Sequence, residues 1–178
     1  MPRPAGLRSK DPAPRASTLG PTSERVLCRD IAGRIHLVPP EALVDRTSVY
    51  GLAFRAGEVL LVKDRQGDGD WDLPGGGVED GESPLEALGR ELHEETGLTM
   101  ESEPRLLCQF EEHFFERERQ EAWRSRRCFY LVETQGTVRT DGNDDDIERA
   151  AFLPWTEEDV APVALAVIEE ALERTGDR

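Results

Sequence analysis

One helix has both of its ends written into the sequence, and it constrains the chain more than any other feature. Ser83-Pro84-Leu85-Glu86 places a capping Ser before the helix, a Pro at its first position and a Glu three residues after the cap. Gly97 supplies a left-handed stop. These signals predict a helix over 84–96, with Leu85, Leu88 and Leu92 as its core-facing stripe. Before it, Leu73-Pro74-Gly75-Gly76-Gly77 leaves a strand and runs through three glycines. A strand, a glycine-rich loop and a helix in that order need a sheet to pack on.

The rest of the chain supplies strand signals. Residues 26–30 and 34–38 flank a turn with Gly33 and read as a hairpin. Residues 47–54 and 58–64 read as strands joined across 55–57, and 65–70 as a loop. Residues 105–115 and 126–133 read as longer strands joined by a charged, Arg-rich loop over 117–127. A short strand is expected at 147–155. Ala164, Val167, Ile168, Ala171 and Leu172 recur at helical spacing, so the chain ends in an amphipathic helix. Residues 1–25 differ: basic, rich in Pro, Ala and Ser, and without apolar periodicity. They read as a disordered tail ahead of one domain over 26–178.

Inside the helix, Glu91, Glu94 and Glu95 fall at i, i+3 and i+4 near its C-terminus. Like charges at that spacing repel, and the helix dipole disfavours anions there. Three acids held against both effects call for a compensating cation. Hard oxygen donors suit Mg²⁺, which keeps several waters and also binds phosphate oxygens. Arg90 stands beside them and can pair with one carboxylate. A solvated acidic face is the alternative reading of the cluster taken alone. The whole-chain charge of −15, from Lys+Arg 22 and Asp+Glu 37, points the same way as the cation. It argues against general affinity for nucleic acid or anionic membranes. No apolar run approaches the ~20 residues of a bilayer span. Cys28, Cys108 and Cys128 have no metal-type spacing and read as reduced thiols of a cytoplasmic protein.

Residues 76–98 read GGVEDGESPLEALGRELHEETGL. This resembles the box of the Nudix (MutT-like) hydrolase family, GX5EX7REUXEEXGU with U aliphatic. Gly76, Glu82, Arg90, Glu91, Leu92, Glu94, Glu95, Gly97 and Leu98 all match it without insertion or substitution. The resemblance implies an α/β/α sandwich around a mixed sheet, an α+β fold. It also implies Mg²⁺- or Mn²⁺-dependent hydrolysis of a nucleoside diphosphate linked to another moiety. By the same resemblance, the Gly76 carbonyl, Glu91 and Glu95 form the core of the metal site, with Glu94 as a further ligand. Arg90 orients a carboxylate, and Glu82 and Gly97 support the loop–helix unit. The general base is left between Glu91 or Glu94 and an acid of the loop 141–148, with Asp146 and Glu148 as its candidates.

The substrate is less legible. Positions that mark ADP-ribose or diadenosine polyphosphate hydrolases in this family hold Glu112–His113 and Phe114–Phe115 here. A MutT-like or broad-range activity on a small nucleotide is the remaining expectation. Arg126, Phe114 and Tyr130 are candidate substrate contacts, by charge and by stacking. Two rivals stand beside this reading. One is a Nudix-fold module that binds a nucleotide without turnover. The other is an RNA-end pyrophosphohydrolase, against which the acidic charge counts. A homodimer is compatible with the resemblance.

Overall fold

The structure, a computed structural model, describes residues 24–65, 69–143, 146–154 and 159–175. Most of the basic tail, acids 144–145 and the Trp155 end of the last strand lie outside them.

The chain forms β1 (Val26–Arg29), β2 (Ile35–Val38), β3 (Leu43–Leu52), β4 (Phe54–Arg55), β5 (Glu58–Asp64), β6 (Trp71–Asp72) and β7 (Gly75–Gly77). Helix α1 (Pro84–Thr96) follows, then β8 (Thr99–Met100), β9 (Arg105–Glu116), β10 (Glu121–Leu131), β11 (Thr134–Gln135), β12 (Ile147–Leu153) and α2 (Pro162–Thr175). Six strands form a mixed sheet in the order β2-β1-β9-β10-β3-β7. The β10–β3 pair is parallel, and its neighbours β9–β10 and β3–β7 are antiparallel. A second sheet runs β12-β5-β4, with β6 also on β5.

Strand alternation divides the core into two layers. Val49, Leu60 and Cys128 pack with Ala87, Leu88 and Leu92 of α1. Leu52, Leu61 and Phe129 pack with Ala164, Val167, Ile168 and Ala171 of α2. The helices therefore cover opposite faces, as an α/β/α sandwich requires. Leu85 is only half-buried, and Ala87 takes its place in the core. Burying Leu88 and Leu92 is worth about 1.5–3 kcal/mol each.

Both ends of α1 form where the local signals put them. Ser83 and Glu86 cap each other reciprocally, and Gly97 takes φ 75°. The Arg-rich segment expected as a loop over 117–127 is mostly strand. Only 117–120 turn, while Glu121 onward is strand β10, paired with β9 on one side and β3 on the other. Arginines at 124, 126 and 127 hide the apolar alternation that would mark a central strand. Strand β3 likewise begins at Leu43, because its first half pairs with that same hidden stretch of β10. Trp71 enters β6, and Lys63 and Arg149 each lie 5.8 Å from its ring. All three cysteines are free.

Candidate metal centre and active site

The site is built from the glycine strand β7 and the last turn of α1. At Gly75 the backbone crosses so close to β3 that a Cβ would collide with the Val49 carbonyl. At Gly76 a Cβ would collide with the Glu91 carboxylate. Glycine at these two positions lets the strand lie flush against the acids of the helix. The Gly75 N–H then donates to Glu95 Oε2 at 2.8 Å.

The three glutamates occupy three environments. Glu95 is 6% exposed, the Glu91 side chain is 15% exposed and that of Glu94 is 56% exposed. Burial pushes the Glu95 carboxyl up to about 9, against the opposing Gly75 hydrogen bond. Glu91, Asp146 and Asp72 raise it further by repulsion. Glu91 is raised as well, first by burial; its Arg90 contact opposes the rise and Glu94 and Asp146 add to it.

Arg90 is the hub of the unit. Its Nε and Nη2 donate to the two oxygens of Glu82 at 2.9 and 3.0 Å, a bidentate pair. Nη2 also donates to the Gly77 carbonyl at 3.0 Å. Nη1 lies 2.9 Å from Glu91 and 3.3 Å from Glu94. Arg90 thus ties the loop to the helix through Glu82 while it orients Glu91. Arg139 answers the negative helix end, with Nη1 3.3 Å from the Glu94 carbonyl.

Glu91, Glu94, Glu95 and Asp146 line one open cavity of about 390 Å³, together with His93, Arg139 and Asn143. Asn143 holds the Asp146 side chain there, donating from Nδ2 to Oδ1 at 2.9 Å. Glu148 is exposed and does not line this cavity. The pairing of β12 with β5 shifts between Ile147 and Arg149, so Glu148 falls in the irregularity. Of the two acids expected from loop 141–148, the fold brings Asp146 to the glutamates. A second cavity of about 270 Å³ shares Glu95 and adds Asp64, Asp70, Asp72, Gly75 and Tyr50. These three aspartates escape a motif-based reading because they approach only when β5 and β6 pair.

Among the described residues, no three His, Cys, Asp or Glu side chains close on a single point as a finished metal cage. The donor chemistry nonetheless fits a hard divalent cation that keeps much of its water. Every candidate donor is an oxygen. The buried carboxylate Glu95 is repelled by its neighbours, which is the charge a cation would offset.

The candidate substrate contacts are not brought together. Phe114 lines a cavity near the β9–β10 turn with Ile31 and Trp123. Arg126 lines another with Asp45, Thr47 and Arg124. Tyr130 packs against the core layer under α1.

A profile of the NUDIX domain matches residues 44–172, which includes the glycine strand, α1 and the Asp146 wall. The chain belongs to the Nudix family. Solved Nudix structures share the fold. A MutT Nudix hydrolase from Burkholderia pseudomallei superposes with a TM-score of 0.59 at 24% identity, over 71% of this chain and 98% of that one. An ADP-ribose pyrophosphatase from Streptococcus suis gives a TM-score of 0.54 at 20% identity, over 71% of this chain and 90% of that one. A curated RNA pyrophosphohydrolase from Mannheimia succiniciproducens is 53% identical over 45 residues. That match covers 25% of this chain and 22% of the relative. The chain thus spans about a quarter of the length of the curated relatives it matches.

Proposed function

We propose that this Nudix protein is a Mg²⁺- or Mn²⁺-dependent pyrophosphohydrolase that cleaves a small nucleoside diphosphate linked to another group. The carrying observation is the carboxylate-lined cavity between α1 and the wall of Asn143 and Asp146, with the buried Glu95 among its lining residues. A diphosphate is strongly anionic, and a bound divalent cation supplies charge neutralisation and a more acidic water. Glu91, Glu95 and the Gly76 carbonyl would hold that cation, with Glu94 and Asp146 completing its surroundings. Arg90 fixes the Glu91 rotamer and takes its own orientation from Glu82. Glu94 and Asp146 are the acids from separate elements available to accept the proton of the attacking water. The same reading places the protein in the cytoplasm. Among the described residues no helix is long and apolar enough to cross a membrane. Light scattering tests for a homodimer.

The test is phosphate release over a nucleotide panel with Mg²⁺ and Mn²⁺. Glu91→Gln and Glu94→Gln are expected to lose about 10²-fold or more in turnover. Wild-type rates in both variants would sink the assignment. Tight nucleotide binding without metal-dependent turnover would favour the binding module instead. The local identity to RNA pyrophosphohydrolases supports a second reading, with a 5′-triphosphate RNA end as substrate. Salt-sensitive RNA binding that is lost on deleting residues 1–25 is its signature.

A further inference from the structure

A row of side chains crosses the α2-side face of the large sheet, starting at the candidate metal centre. Gly75 of β7 pairs with Tyr50 of β3, and Tyr50 pairs with Phe129 of β10. Beside Phe129 on the same face of β10 stands Arg127, which pairs with Phe110 of β9. Three inter-strand steps, about 14 Å across the sheet, separate β7 from β9. Tyr50 stacks on Phe129 with ring centroids 5.0 Å apart, and Phe110 stacks on Phe129 at 5.6 Å. The Arg127 guanidinium lies 4.7 Å from the Tyr50 ring centroid, 5.8 Å from that of Phe110 and 5.7 Å from that of Phe129.

Two properties of the row are unusual for packing alone. Arg127 Nε is buried and has no hydrogen-bond partner among the described residues, although a buried N–H without one is costly. Its Nη1 lies 3.6 Å from the Glu112 carboxylate, and the guanidinium also interacts with the Tyr50 hydroxyl. Phe110 remains 38% exposed at the outer end of the row. Tyr50 lines the cavity that also holds Glu95, so the row continues outward from the acids.

We propose that Tyr50, Arg127 and Phe110 form the subsite for the planar base of the substrate, with Arg127 as the residue that sets which base is taken. This rests on the pyrophosphohydrolase reading. A diphosphate held at the acids directs the rest of the nucleotide along the row. The aromatic surface stacks a flat ring, and an arginine edge offers donors only. Bases with carbonyl acceptors, guanine and uracil, satisfy that edge. Adenine presents an amine donor beside its ring nitrogen and does not.

The experiment measures binding of GMP, UMP and AMP by calorimetry without divalent metal, and then kinetics on the matching triphosphates. The variants are Arg127→Lys, which keeps the charge and loses the fork, and Phe110→Leu, a half-exposed position. Wild type is expected to prefer GMP and UMP over AMP by about tenfold. Arg127→Lys is expected to remove that preference and to raise KM about tenfold with kcat little changed. Phe110→Leu is expected to weaken all three nucleotides alike. Equal affinity of wild type for the three, or unchanged KM and preference in Arg127→Lys with a wild-type melting temperature, overturns the proposal. Base-selective binding with no turnover under any metal overturns the enzymatic reading and leaves the subsite standing.

Discussion

Replacing the buried Glu95 by Gln should stabilise the protein in the absence of divalent metal. The ordinary glutamate value is 4.5, and in the fold Glu95 is pushed up to about 9. Between those values the unfolded chain has given up a proton that the folded chain retains. Stability is therefore full below pH 4.5 and falls as pH rises towards 9. Each pH unit in that window costs about 1.4 kcal/mol, so by pH 7 the loss is about 3 kcal/mol. Gln removes the titration, and its carbonyl oxygen can still accept the Gly75 N–H. The expected gain at pH 7 is about 1–3 kcal/mol, a rise of about 2–4 °C in Tm for each kcal/mol in a chain of this size. The assay is urea unfolding in EDTA from pH 5 to 8.5, for both proteins. Wild type should lose stability across the range, and Glu95→Gln should lose clearly less. Magnesium should shrink the difference by binding the ionised carboxylate, with measurable proton release. Equal pH slopes for the two proteins in EDTA would refute the argument, because Glu95 would then ionise as freely in the fold as outside it.

Other consequences are more local. Gly76→Ala drives a methyl group into the Glu91 carboxylate, so the Mg²⁺ concentration for half-maximal activity should rise about tenfold or more. A metal titration of activity checks this. Arg90→Lys loses the fork that holds Glu82 while keeping the charge. A destabilisation of about 1–2 kcal/mol is expected in chemical denaturation. Burial pushes the Asp30 carboxyl up, but hydrogen bonds from His36 and the Arg34 and Ala32 N–H groups outweigh it and hold the group below the usual range. Its stabilising effect is present above pH 3.8 and is lost as pH falls below that. Asp30→Asn should therefore lower Tm at pH 7, by a margin that closes in strong acid.

The chemistry of the centre is legible in the sequence because it is carried by local signals. Ser83, Pro84 and Glu86 start α1 wherever the chain happens to fold, and Gly97 ends it. Glycines at 75 and 76 announce a close backbone approach, and Glu91, Glu94 and Glu95 announce a charge that needs an answer. These are short-range effects of capping, backbone sterics and helix periodicity. The three glutamates look alike on a helical wheel, yet tertiary packing buries one, half-covers another and leaves the third in solvent. Burial raises the pKa of the two it covers, Glu95 and Glu91. Asp146 rather than Glu148 reaches the cavity because of an irregularity in strand pairing, and Asp64, Asp70 and Asp72 arrive by pairing of β5 with β6. Arg127 becomes part of an aromatic row only when β10 slots between β3 and β9. Helix ends depend on neighbours a few residues away and can be read in one dimension. Sheet register and burial depend on partners dozens of residues distant, and only the folded chain decides them.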